Sequence, residues 1–178
     1  MKELYPDAIE ETPHNMPQPF GEGVRVSCFV DTDHAGNKIT RQSHTGTIII
    51  FLNSAPIMCY SKRQNTVESS TFGSELVAVK QAVDMIEGLI YKLRMFGIPT
   101  IGEARIFCDN QATVKSESNP DTQLQKKHNS IAFHRIREAV AGGWILLYHE
   151  DGQSNLADLL TKILSVERRR KLILGLLG

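Results

Sequence analysis

The chain has 178 residues, 41% of them apolar, and its 20 Lys and Arg are balanced by 20 Asp and Glu. That length and apolar content suit one folded domain and exclude wholesale disorder. No apolar run approaches the roughly 18 residues needed to cross a bilayer, the N-terminus carries no apolar signal core, and Cys28, Cys59 and Cys108 match neither a zinc pattern nor a disulfide framework; buried thiols in a reducing, cytoplasmic compartment are expected.

Residues 1–23 hold four prolines (Pro6, Pro13, Pro17, Pro19) and five acids against one base, which leaves the remainder with a net charge of +4. They read as an extended lead-in or linker. A strand follows, with Val24, Val26, Cys28 and Val30 alternating with more polar positions up to Asp31. Asp33 to Lys38 is a turn. Thr45 to Leu52 is β-branched and apolar, and Pro56 to Ser61 makes a short third strand, so the first three strands suggest an antiparallel meander. The period then changes. Ser69-Ser70-Thr71 are good helix-capping types, and Leu76, Val79, Val83, Ile86, Ile90 and Leu93 line one face of a long helix that Gly97 and Pro99 end. Ala104 to Cys108 is a fourth strand, Ala112 to Glu117 a short helix, and Ser130 to Ala141 a helix stopped by Gly142-Gly143. Trp144 to Tyr148 is a fifth strand. Asn155 caps a predicted helix through Lys162, and Val166 to Leu177 forms the last helix. The order βββαβααβαα predicts an α/β fold with a mixed sheet. Its last two strands, reached by helical crossovers, are parallel to a neighbour.

Within this pattern four acids fall at junctions. Cys28-Phe29-Val30-Asp31 and Ile106-Phe107-Cys108-Asp109 share one layout, each with an Asp closing a strand on the face of the Phe two residues earlier. Parallel neighbours would set these carboxylates side by side at the carboxyl end of the sheet, where ligand sites of open α/β sheets lie. Glu75, early in the long helix, and Asp158, early in the helix after the fifth strand, can join them. Four clustered carboxylates repel one another unless some bind protons or cations intervene. Hard oxygen ligands suit Mg²⁺ or Mn²⁺, and two such ions about 3.5–4 Å apart can clamp the attacking and leaving oxygens of a phosphodiester displacement. Taken singly, each acid is as readily a turn former, a cap or a helix-dipole partner; their ordering, strand Asp, helix Glu, strand Asp, helix Asp, is the stronger signal.

The sequence resembles the ribonuclease H domain that follows the reverse transcriptase in Ty1/copia-type retrotransposon polyproteins. The resemblance rests on Phe29-Val30-Asp31-Thr32-Asp33-His34-Ala35-Gly36, Arg41-Gln42-Ser43-His44-Thr45-Gly46, Ser69-Ser70-Thr71 with Glu75, Phe107-Cys108-Asp109-Asn110-Gln111, Lys127-His128, and Asn155-Leu156-Ala157-Asp158-Leu159-Leu160-Thr161-Lys162. The family more often has an aromatic residue where His34 stands and Pro where Ile163 stands. The resemblance implies a ribonuclease H-like fold: a five-stranded mixed sheet, three antiparallel strands then two parallel, with helices on both faces. It implies a domain over 24–163 after the 1–23 lead-in, with the C-terminal amphipathic helix over 164–178. By the same resemblance Asp31, Glu75, Asp109 and Asp158 are the catalytic acids and the ligands of two Mg²⁺ (or Mn²⁺) ions. One ion lies near Asp31 and Asp158, the other near Glu75 and Asp109, and Asp31 bridges both. The implied activity is hydrolysis of the RNA strand of RNA–DNA hybrids during reverse transcription, leaving 5′-phosphate and 3′-hydroxyl ends. The implied partners are the hybrid and the upstream reverse-transcriptase domain, with no membrane and no small-molecule cofactor, in the cytoplasm and within virus-like particles. A catalytically inactive remnant that binds nucleic acid or docks on a reverse transcriptase is the alternative.

Among the remaining residues, Lys126, Lys127 and His128 before a helix start, with Arg135 after it, are the candidates for phosphate contact. His149, nine residues before Asp158, is a candidate for product release. The basic run Arg168-Arg169-Arg170-Lys171 reads as the solvated face of an amphipathic helix, and Trp144 as core.

Overall fold

A computed structural model describes residues 1–10, 12–33, 44–64, 70–122 and 129–177. Most of the turn expected over 33–38, the motif at 41–43, Ser69, and Lys126, Lys127 and His128 lie outside the described residues.

The strands are β1 (Val26–Asp33), β2 (His44–Leu52), β3 (Ala55–Arg63), β4 (Ala104–Cys108) and β5 (Ile145–His149), and the helices are α1 (Thr71–Met95), α2 (Gln111–Ser118), α3 (Ser130–Ala141), α4 (Asp158–Thr161) and α5 (Val166–Leu177). They form one sheet in the order β3-β2-β1-β4-β5. β2 is antiparallel to both β1 and β3, and β4 is parallel to β1 and to β5. The expected meander and crossovers are therefore both present.

Alternation along the strands assigns each face. Cys28, Val30, Ile50, Ile106, Cys108 and Ile145 point into a core shared with the α1 stripe (Leu76, Val79, Val83, Ile86, Ile90) and with Phe133 and Ile136 of α3. On the other face Ile49 and Phe51 meet Leu156 and Leu172, with Phe29 packed against them. Helices thus cover both faces, and α5 contributes through its apolar side.

Helix α1 is long because both its ends are satisfied. The Ser70 side chain accepts from the Gly73 amide at 3.2 Å, the usual role of an N-cap serine. At the other end Gly97 adopts φ +71°, its amide donates to Arg94 and that of Ile98 to Leu93, the paired bonds of a Schellman stop.

Three expectations are corrected. The helix foreseen from Asn155 to Lys162 is only Asp158–Thr161, because the Asn155 side chain is spent on tying a turn to the sheet, as described below. Cys28 and Cys108 are buried, but Cys59 is exposed, since β3 is an edge strand. Trp144 stands just before β5, its carbonyl accepting from the Ala104 amide, and packs partly buried against the core. Among its described residues the lead-in has no helix or paired strand before Val24, yet it lies against the helices. The Tyr5 hydroxyl is 2.7 Å from Nδ1 of His134, Glu10 pairs with Arg94, and the Phe20 amide donates to the Gly97 carbonyl.

Candidate metal centre

The parallel register of β1 and β4 pairs Phe29 with Phe107 and Val30 with Cys108. Asp31 and Asp109, each one residue further, therefore stand side by side just past the last pair of the β1–β4 ladder. Side-chain parity then decides what reaches them. Thr32 and Cys108 face the α1 side, and Glu75 arrives from that side: the Thr32 hydroxyl donates to its Oε1 at 2.6 Å, and the Cys108 thiol lies 3.7 Å from its Oε2. Asp158, the first residue of α4, arrives from the opposite layer.

Asn155 fixes that second approach. Its Nδ2 donates to the Val30 carbonyl at 2.9 Å while its Oδ1 accepts from the Ala157 amide at 3.1 Å. One buried amide thus ties the entry of α4 to the strand that carries Asp31.

Two groupings result. Asp31, Asp109 and Asp158 offer ligand atoms all within 4.8 Å of one another, and so do Glu75, Cys108 and Asp109. All four predicted acids are brought together. Asp109 is the member common to both groupings, where the family resemblance gives that place to Asp31. Asp31 and Asp158 are almost fully buried, while the Asp109 side chain is 22% exposed.

No protein-family profile matches the chain. It is 31% identical over 145 residues to the Retrovirus-related Pol polyprotein from transposon RE1 of Arabidopsis thaliana, a match covering 82% of this chain and 10% of that protein. It is 30% identical over 135 residues to the Pol polyprotein from transposon TNT 1-94 of Nicotiana tabacum, covering 76% and 10%. The chain thus spans about a tenth of the length of these curated relatives. Among solved structures, LC11-RNase H1 in complex with an RNA/DNA hybrid aligns with a TM-score of 0.56 at 14% identity, over 74% of this chain and 88% of that one. The N-terminal ribonuclease H domain of a Mycobacterium tuberculosis protein aligns at 0.57 and 13%, over 86% and 99%. The chain is a ribonuclease H-like domain of the Ty1/copia-type retrotransposon Pol family.

The electrostatics of this ribonuclease H-like centre follow from its burial. Glu75 is pushed up to about 8 by desolvation, with the Thr32 hydroxyl pulling the other way and the charges of Asp109 and Asp31 adding to the rise. Asp31 is pushed up to about 6, again by burial first, against the Thr161 hydroxyl and Lys162, which lower it. A carboxyl held protonated by burial is ionised when a cation arrives beside it. The donors on offer are hard carboxylate oxygens, which fit Mg²⁺ or Mn²⁺. Cys108 does not add to that set, because burial and the neighbouring Glu75 push its thiol well up and keep it protonated.

Other residues of the centre went without a role in the sequence reading. The Thr161 hydroxyl donates to Asp31 Oδ2. Lys162 sets its ammonium 2.6 Å from Asp158 Oδ1, 3.2 Å from Asp31 Oδ1 and 3.7 Å from Asp109 Oδ2. Arg168 donates to Asp158 Oδ2 and to the Gly152 carbonyl, so this member of the basic run is not on a solvated face. The i, i+4 spacing of Asp158 and Lys162 is a readable signal; Arg168, on a separate helix, has none.

His149 ends β5 on the surface, with Nε2 3.2 Å from the Asp109 carbonyl oxygen. Arg135 pairs with Asp84 at 3.2 Å and with Glu87, both on α1. Its guanidinium is therefore engaged on the seam between α1 and α3.

Proposed function

We propose that this domain is a divalent-metal-dependent endonuclease that hydrolyses the RNA strand of RNA–DNA hybrids during reverse transcription of a retrotransposon. The observation that carries the reading is the convergence of Asp31, Glu75, Asp109 and Asp158, from both layers of the fold, on the ends of β1 and β4. Support comes from the polyprotein relatives and from the ribonuclease H fold.

Asp31, Asp109 and Asp158 would hold one Mg²⁺ or Mn²⁺, and Glu75 with Asp109 the other. When bound, the two ions supply water activation and charge stabilisation at the leaving 3′-oxygen. The chain's own groups do the positioning. Thr161 and Arg168 fix the rotamers of Asp31 and Asp158 by holding one oxygen of each, the part outer partners play at metal sites. Thr32 does the same for Glu75. His149, whose ring lies beside the Asp109 carbonyl, would act on product departure. Selection for RNA would come from contacts to 2′-hydroxyls across the minor groove. The phosphate contacts expected of Lys126, Lys127, His128 and Arg135 belong to the same proposal, and Arg135 would leave Asp84 and Glu87 to make one. The upstream reverse-transcriptase domain and a place within cytoplasmic virus-like particles complete it.

A labelled-hybrid cleavage assay with Mg²⁺, Mn²⁺ or EDTA tests the proposal. Cleavage of the RNA strand with either ion and none in EDTA is expected, and Asp109→Asn should abolish it while keeping the fold, because an amide is a poor ligand for a hard cation. No cleavage with either metal across a range of salt would favour the inactive remnant. Full activity in Asp109→Asn would refute the site.

A further inference from the structure

We propose that Lys162 is a resident counter-cation of the carboxylate cluster, and that a divalent ion enters between Asp31, Asp109 and Asp158 by exchanging with its ammonium group. The inference rests on the reading of these acids as metal ligands. The ammonium nitrogen reaches all three members of one grouping, at 2.6 Å from Asp158, 3.2 Å from Asp31 and 3.7 Å from Asp109. The two buried aspartates divide their oxygens by partner. Asp31 Oδ2 accepts from Thr161 and Asp158 Oδ2 from Arg168, whereas Oδ1 of each accepts from Lys162. The oxygens that Lys162 covers are thus the ones not already held by the surrounding scaffold. An ion with bonds of about 2.1 Å to them would occupy the place of the ammonium. Thr161 and Arg168 hold the other oxygens and can stay where they are.

The geometry also makes the lysine the partner that moves. Its side chain is 39% exposed, while those of Asp31 and Asp158 are 1% exposed. Lys162 is the C-cap of α4 with extended backbone, φ −122° and ψ 145°, so its long flexible stem leaves from the end of the helix and can carry the charge into water. The aspartates are pinned by Thr161 and Arg168. The consequence is a cluster that carries its own charge compensation when no divalent ion is present, and whose affinity for that ion is set partly by competition.

Two measurements on the full chain test this. Calorimetric titration of Mg²⁺ and of Mn²⁺ into the unsubstituted protein and Lys162→Met should give binding tighter in the variant, on the order of tenfold, and Lys162→Met should lose thermal stability in EDTA and regain it with Mg²⁺. In the unsubstituted protein labelled with ¹³Cε-lysine, the signal missing from Lys162→Arg should shift during Mg²⁺ titration with the midpoint found by calorimetry; this readout does not depend on Lys162→Met folding. Unchanged or weaker binding in Lys162→Met overturns the exchange. A Lys162 signal that stays fixed while Mg²⁺ binds also overturns it, since a cation acting only through its distant field would alter affinity without moving. If the unsubstituted protein and the variant both fail to bind either ion, the metal-site reading itself fails and the exchange with it.

Discussion

Glu75 offers the sharpest test of the centre, because removing it should cost activity and add stability. Its carboxyl is buried and its pKa stands at about 8 in the folded chain, against 4.5 for the free side chain. The folded state therefore keeps a proton that the unfolded state releases. Stability from this group is fully present below pH 4.5 and is lost as pH rises toward 8. At pH 7 the deficit is the proton affinity difference over some 2.5 pH units, about 3 kcal/mol, and it levels off near about 5 kcal/mol above pH 8. Glu75→Gln keeps the shape and an acceptor for Thr32, and it does not titrate. In EDTA the variant should match the unsubstituted protein near pH 4.5 and exceed it by about 3 kcal/mol at pH 7, or roughly 6–12 °C in melting temperature for a chain of this size. Saturating Mg²⁺ should shrink or invert the difference, because only the carboxylate gains an ion. Thermal unfolding at several pH values, with EDTA and with Mg²⁺, reads all of this. A variant no more stable than its parent at pH 7 in EDTA, or a difference that does not change with pH, would refute the argument from burial.

Other outcomes follow from single contacts. Asn155→Ala should destabilise by about 1–3 kcal/mol, since it leaves the buried Val30 carbonyl without its donor, and should weaken divalent binding by loosening Asp158; chemical denaturation and calorimetry check the two effects, and unchanged metal affinity would detach Asn155 from the site. Gly97→Ala should cost about 1 kcal/mol or more, because its φ is +71° and an added Cβ would meet the Phe20 ring. Since Phe20 is in the lead-in, the same variant should raise protease sensitivity within residues 12–23, as limited proteolysis would show.

Much of the fold could be read from the chain because its signals agree across scales. The stripe from Leu76 to Leu93 and the Ser70 and Gly97 ends all specify one helix. The matching Phe-x-Asp layouts of β1 and β4 could be read as neighbours before any pairing was known, and the register bears this out. What escaped the reading depends on partners distant in sequence. Asn155 has the residue type of a helix cap, but its Oδ1 closes a local turn by accepting from the Ala157 amide and its Nδ2 donates to Val30, 125 residues away, so the helix begins only at Asp158. Arg168 sits among four basic residues on an amphipathic helix, and composition alone does not tell which one turns inward to Asp158. Cys59 stands in an apolar run, yet exposure is set by the strand's place at the sheet edge, which the run does not encode.

Building a site from both layers of a sheet demands that one strand end serve two faces at once. Along β1, Asp31 and Thr32 are adjacent and so diverge, one toward α4 and one toward Glu75. The β1–β2 ladder shifts here as well: Val30 pairs with Ile48, but Thr32 pairs with Thr45. An irregularity of this kind increases local twist and re-aims side chains, at the step where the strand must present a carboxylate beyond the edge of the core. Two separate layers delivering acids to one point would be self-defeating without positive charge from the chain. Among the described residues that charge comes from the layer of α4 and α5, as Lys162 and Arg168, whereas Glu75 on the α1 side meets a hydroxyl and a thiol. The asymmetry accounts for burial raising Glu75 further than Asp31, and it makes that half of the centre the one whose ionisation depends most on an arriving ion.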